Sequence, residues 1–178
     1  MITKGQALIL AAAALAGVVA VTSAEDHRRE GRPAAPATNA TYTATCGTCH
    51  VPYYPGLLPA GSWKKILAGL KDHHGQEVSL EPKERLELLT FLSAHAADQS
   101  DSEISRKILR SLAGATPMRV TEVPMIRNKH REISDDTFKS KEIGSRSNCA
   151  ACHSGAAVGN FDEDSVRIPG RNREREDD

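Results

Sequence analysis

The chain has 178 residues, room for one domain or two small ones sharing a core, with 23 Lys and Arg against 23 Asp and Glu. The charges are scattered through KDHHGQE, EPKERLE and KSKEIGSR, the pattern of solvated helix faces; this excludes a phosphate track, and with it nucleic acid as a partner. With one Trp, three Tyr and three Phe the interior rests on Leu, Ile, Val and Ala, a thin core that leaves the middle for a bound apolar group.

Residues 1–24 read as a secretory signal peptide: Lys4 in a polar start, the apolar run ALILAAAALAGVVAV, and small residues at Thr22-Ser23-Ala24. The run is fifteen residues, short of the roughly 20 that a spanning helix needs. The expected product is an exported chain starting near Glu25, with 22 basic against 23 acidic residues once Lys4 is removed. Residues 25–41, EDHRREGRPAAPATNAT, lack an apolar period and read as a flexible lead-in, with His27 solvated. Residues 42–170 form the expected folded domain, and 171–178, RNREREDD, a frayed charged tail.

The fold class read from the domain is mainly α, with short helices and long ordered loops. VPYYPGLLPAG, with three prolines, predicts an ordered loop that packs Tyr53, Tyr54, Leu57 and Leu58 inward. Ser62 is the expected cap of a helix bearing Trp63, Ile66, Leu67 and Leu70, ending near Gly75 with His73 and His74 on its last turn. Pro82 opens a second helix running to about Ala97, and Asp101-Ser102 caps a third with Ile104, Ile108 and Leu112 on one face. MRVTEV reads as extended. Pro124 opens a short helix in which Ile126, His130 and Ile133 share a face, and Ser147 or Asn148 caps a helix containing Cys149 and Cys152.

All four cysteines sit in two Cys-x-x-Cys-His pentads, Cys46–His50 and Cys149–His153. A thioredoxin-type dithiol needs a βαβ context, which is missing. Four thiolates on one structural zinc are the serious rival: closing the 99-residue loop between the pairs costs about 4 kcal/mol against about 10–16 for a structural zinc, so length does not exclude it. Zinc, however, leaves His50 and His153 without a role. Covalent haem attachment uses all five positions: two thiols add to the two porphyrin vinyls, and the next histidine ligates iron. The expectation is two haem c groups, held by Cys46, Cys49, Cys149 and Cys152, with His50 and His153 proximal.

The second axial ligand separates electron transfer from chemistry on a small ligand. The candidates are His73, His74, His95 and His130, with Met118 and Met125 behind them. His50 to His73 and His130 to His153 both span 23 positions, which suggests that one site draws its distal ligand from just after its pentad and the other from just before. On a straight helix His74 lies nearer the apolar stripe than His73, so the residues alone leave that choice open.

CGTCHVPYYPGLLPAGSW, LKDHHGQEVSL, PMRVTEVPMIRNKHREI and SNCAACHSGAAVGNFDEDSVRIPG together resemble the bacterial dihaem cytochromes c in which both haems are bis-histidine, from about Thr45 to Gly170. The resemblance implies that His73 stands at the histidine of the family's Asp-His-Phe-Gly, with His74 in place of the aromatic. It further implies that His130, within Asn128-Lys129-His130-Arg131-Glu132, is the other distal ligand and that His95 is a surface residue. It also implies a periplasmic shuttle between a membrane cytochrome b and an oxygen-binding cytochrome c.

The function read from these residues is electron transfer, with no catalytic residue, no small-molecule substrate and potentials toward the reducing end of the roughly 0.8 V haem range. The rivals are an electron-donating subunit of a periplasmic reductase and a dihaem peroxidase-type enzyme with one open iron. Asp162-Glu163-Asp164 reads either as a docking patch for a partner or as a solvated turn.

Overall fold

A computed structural model describes residues 38–171; the leader 1–24, positions 25–37 of the lead-in and 172–178 of the tail lie outside the described residues. Described residues contain six short α-helices and several single 3-10 turns, and no strand beyond an isolated bridge between His73 and Gln76. In chain order the helices are α1 (Ala40–Cys46), α2 (Ala60–Ala68), α3 (Pro82–Ala94), α4 (Glu103–Leu112), α5 (Pro124–Lys129) and α6 (Asp135–Lys139).

Each helix starts for an identifiable chemical reason. Asn39 accepts from the Tyr42 amide and caps α1, which therefore begins inside the stretch read as lead-in. Glu81 and Glu84 form a reciprocal capping box around Pro82 at the head of α3. Ser102 caps α4 by accepting from the Ser105 amide. Ser134 caps α6, with Asp135 and Asp136 in its first turn. That serine-acid start is a helix signal the sequence reading passed over.

Two expected elements differ. Ser62 does not cap α2: the Pro59 carbonyl accepts from the Ser62 and Trp63 amides, and Asp98 accepts from the Ala60 amide 2.9 Å away. A distant carboxylate thus supplies the cap, and Ser62 is fully buried one turn inside. The same helix stops at Gly69 rather than Gly75, and a 3-10 turn, Leu70–Asp72, follows. MRVTEV is not a strand; Val120–Glu122 make a 3-10 turn that leads directly into α5.

The core runs through α2, α3 and α4, with Leu57, Leu58, Leu88, Leu92, Ile108 and Val123 almost fully enclosed. α1 lies on α3 through Tyr42 and Phe91, whose ring centroids are 5.6 Å apart, and through an Asn39 to Glu87 hydrogen bond of 3.0 Å. The loop after the first pentad does pack inward, at Tyr54, Leu57 and Leu58, while Tyr53 is half-buried. The Trp63 indole donates to the Pro55 carbonyl at 2.8 Å. A buried serine relay, from Ser102 Oγ to Ser105 Oγ to the Gly56 carbonyl, ties this loop to α4. Gly56 is required there, because a Cβ would stand 2.4 Å from the Tyr54 ring and 2.6 Å from Ser105 Oγ.

Leu88 has no exposed surface and sits in the middle of this layer. Leu88→Ala is expected to lower stability by about 2–5 kcal/mol, through lost burial and the cavity left behind; equilibrium denaturation in guanidinium checks it.

Candidate functional site: two pairs of facing histidines

The first pentad begins at the last residue of α1. Cys46 ends that helix, Gly47 caps it, and Cys49 and His50 follow in a turn in which Thr48 Oγ1 donates to the Thr45 carbonyl at 2.9 Å. His50 Nδ1 lies 2.7 Å from the Val51 carbonyl, so Nδ1 carries the proton and Nε2 keeps its lone pair. Facing it stands His73, with ring centroids 6.3 Å apart and planes at 35°.

His73 is held by backbone geometry, not by a helix. Its amide donates to the Gln76 carbonyl at 2.7 Å and its carbonyl accepts from the Gln76 amide at 3.2 Å. His74 and Gly75, at φ 58° and 86°, fill the two central positions, which is the backbone of a type I′ turn. Asp72 closes it by accepting from the Gly75 amide at 2.9 Å. The straight-helix argument for His74 fails here, because the helix has already ended. His74 is exposed, 4.7 Å from the His73 ring by centroids.

The second pentad occupies a single 3-10 turn, Cys149–Ala151, extended by a His153 amide to Cys149 carbonyl bond of 2.8 Å. Asn148 stands at the expected cap position, yet its side chain donates instead to the Ile143 carbonyl at 2.8 Å. His153 faces His130, at 6.0 Å between centroids and 69° between planes. His130 is the residue that ends α5, and its Nδ1 lies 2.7 Å from the Ile126 carbonyl. Phe138 and Phe161 flank this pair, 6.2 Å from His130 and 5.5 Å from His153. Phe138 comes from the unforeseen α6. Phe161 returns to His153 because Gly155 lets Asn160 approach, where a Cβ would meet the Asn160 Cβ at 2.6 Å.

Burial sets the charge state of these groups. Desolvation, with His74 and His50 adding, lowers the His73 pKa below the ordinary imidazole value, and desolvation with His130 beside it does the same for His153. Both shifts favour the neutral ring, the form that ligates a metal. Burial pushes the Cys46 thiol up to about 11 and raises Cys149 and Cys152 as well. None of the four cysteines is in a disulfide, and among the described residues no three His, Cys, Asp or Glu side chains converge as a metal cage. The four cysteines thus do not form a four-thiolate zinc arrangement among the described residues.

The residues present fit a haem at each site. A metal–imidazole nitrogen bond of about 2 Å places two histidines on opposite sides of one ion with centroids about 6 Å apart. Beside His130 and His153 lies a cavity of about 1810 Å³, lined by Cys149 and Cys152 and by apolar groups such as Ile104, Val120, Met125 and Phe161. His153 lines the cavity, and its Nδ1 is buried without a hydrogen-bond partner. Cationic side chains on the lining, Arg127, Lys129, Arg131 and Arg146, suit carboxylates of a bound group.

His95 is exposed, with Nδ1 turned to the Phe91 carbonyl at 2.8 Å. Met118 is also exposed, and Met125 packs at the edge of the core. Within the acidic run, Asp162 caps a 3-10 turn and Glu163 pairs with Lys129.

Described residues that are mainly helical, with two Cys-x-x-Cys-His pentads each beside a second histidine, define the pattern of a multihaem c-type cytochrome. The family model described as Dihaem cytochrome c matches residues 42–161. The structure is similar to the dihaem cytochrome c of Rhodobacter sphaeroides, with a TM-score of 0.63 and 38% identity over 72% of this chain and 100% of that one. It is also similar to a dihaem type c cytochrome of Shewanella baltica OS155, with a TM-score of 0.61 and 37% identity over 76% of this chain and 96% of that one. No curated protein sequence matches. The chain belongs to the dihaem cytochrome c family; it carries two haem c groups with their irons and is an electron-transfer cytochrome.

The strained turn yields a separate expectation. A non-glycine residue at positive φ costs of order 1 kcal/mol, more when β-branched. His74→Gly is therefore expected to raise stability by about 1 kcal/mol, and His74→Val to lower it by at least as much. Thermal melts of the holoproteins check the order of the three.

Proposed function

We propose that the protein is a periplasmic electron carrier in which both irons are closed by two histidines, His50 with His73 at one site and His130 with His153 at the other. The observation that carries this reading is the facing of each pentad histidine by a second histidine at 6.3 and 6.0 Å between ring centroids. Cys46 and Cys49 would hold one haem and Cys149 and Cys152 the other, through thioethers. When bound, each haem supplies a one-electron ferric/ferrous couple.

The chain's own residues set the terms of that chemistry. His50 and His130 turn Nδ1 to backbone carbonyls, which fixes the tautomer and makes each ring a stronger donor through Nε2. Strong imidazole donors stabilise ferric iron more than a methionine does, so the potentials lie toward the reducing end of the haem range. A histidine on each face leaves no position for peroxide or oxygen. With no bond made or broken in substrate, the role of these side chains would be to hold the two haems in place.

Location and partners rest on other support. The leader-like residues 1–24 direct export, and no helix among the described residues is long and apolar enough to cross a membrane. A redox partner protein is implied by the family; the specific pair, a membrane cytochrome b and an oxygen-binding cytochrome c, follows from the motif resemblance. A family role as an electron-donating subunit of a reductase shares every ligand and differs only in partner.

Carbon monoxide tests the closed sites. The reduced native holoprotein is expected to keep its visible spectrum under carbon monoxide. His73→Ala or His130→Ala should each open one haem to it, and His74→Ala or His95→Ala should open none. Substantial binding to the native protein would contradict two closed irons.

A further inference from the structure

We propose that Tyr53 joins the two haem sites: its ring holds the His50 imidazole, its hydroxyl holds the chain ahead of Cys149, and electron passage between the two irons depends on this side chain. The inference relies on the ligand reading above only for His50 as an axial ligand.

Tyr53 lies three residues after His50 and stacks on it, with ring centroids 4.8 Å apart and planes at 22°. His50 is thus held on two sides, by this stack and by the Val51 carbonyl at Nδ1. At its other end Tyr53 Oη donates to the Ser147 carbonyl at 3.0 Å, a bond that spans 94 positions of sequence. Ser147 stands two residues before Cys149. One side chain therefore touches a residue of the first pentad and the segment that opens the second.

Its own position is fixed from behind. The Tyr53 carbonyl accepts from Tyr42 Oη at 2.8 Å, and Tyr42 is buried against Phe91 of α3. Tyr53 is half-buried, and its hydroxyl is held by the Ser147 carbonyl. Groups just beyond a metal's ligands orient those ligands; here the Tyr53 ring does so for His50, while its hydroxyl anchors the chain ahead of Cys149.

The step balances simply. With both haems bound, one electron would pass from a ferrous to a ferric iron, and Tyr53 would be neither oxidised nor deprotonated. A through-space contact between stacked rings, then a hydrogen bond and two residues of covalent chain, give a short route from His50 to Cys149. Tyr53 is a positioning residue, since it reaches the irons only through His50 and the second pentad.

The test compares native, Tyr53→Phe and Tyr53→Leu holoproteins. Partly reduced protein is perturbed by a flash, and re-equilibration between the two haems is followed optically alongside both midpoint potentials and the electron paramagnetic resonance spectrum. Tyr53→Phe keeps the ring, so both haems should remain low-spin at unchanged potentials while inter-haem transfer slows several-fold. Tyr53→Leu should slow it further and shift the low-spin signal of one haem alone. If Tyr53→Leu fails to load haem, Tyr53→Phe still decides. Equal rates in native and Tyr53→Phe protein overturn the proposal, even if the variant melts lower. Failure of the ligand reading shows separately, as a high-spin iron in the native protein, and leaves the rate comparison intact.

Discussion

The structure is organised around the separation of two imidazole rings, about 6 Å at each site. That gap has to be kept in a chain whose helices are only five to thirteen residues long. Helices this short are marginal by themselves, so the histidines are positioned from helix ends and turns that the core clamps. His130 ends α5, and Asp72 and the paired amides of His73 and Gln76 hold His73. The pentad histidines each follow a single tight turn. None of the four ring positions lies inside a helix, where a small rotation of the whole element would misplace it.

The aromatic residues, scarce for a chain of this length, are spent on the same task. Tyr53 stacks on His50, Phe138 and Phe161 flank the second pair, and Tyr42 with Phe91 anchors α1 beneath the first pentad. Arg146 adds to this by lying over the Phe138 ring at 4.1 Å while pairing with Asp135 at 2.6 Å. The aliphatic core of α2, α3 and α4 supplies the platform, and the serine relay to Gly56 couples it to the loop after the first pentad. A carrier of this kind gains from rigidity, because oxidation and reduction then proceed without moving ligands.

Much of this was legible in the sequence where one residue type has one use. The pentads, the cap at Ser102, the start at Pro82 and the inward loop at Tyr54 to Leu58 all rest on local chemistry that three to five residues complete. The reading failed where the deciding partner is distant or the backbone is unusual. Asp98, 38 positions away, caps α2, and no local pattern displays that. His74 at positive φ inverts the argument that placed it on a helical stripe. α6 carries an ordinary serine cap but is only five residues long, too short for an apolar period to emerge. The facing of the histidine pairs was suggested by equal spacing, yet the turn and helix end that set it are tertiary facts.

The most direct test is the electron paramagnetic resonance spectrum of the oxidised native holoprotein, since ligand identity and ring orientation both shape low-spin ferric signals. With bis-histidine ligation at both irons and ring planes at 35° and 69°, two low-spin signals of equal weight and different anisotropy are predicted. The signal from the more nearly perpendicular pair should be the more axial. A high-spin signal of comparable weight would contradict the account.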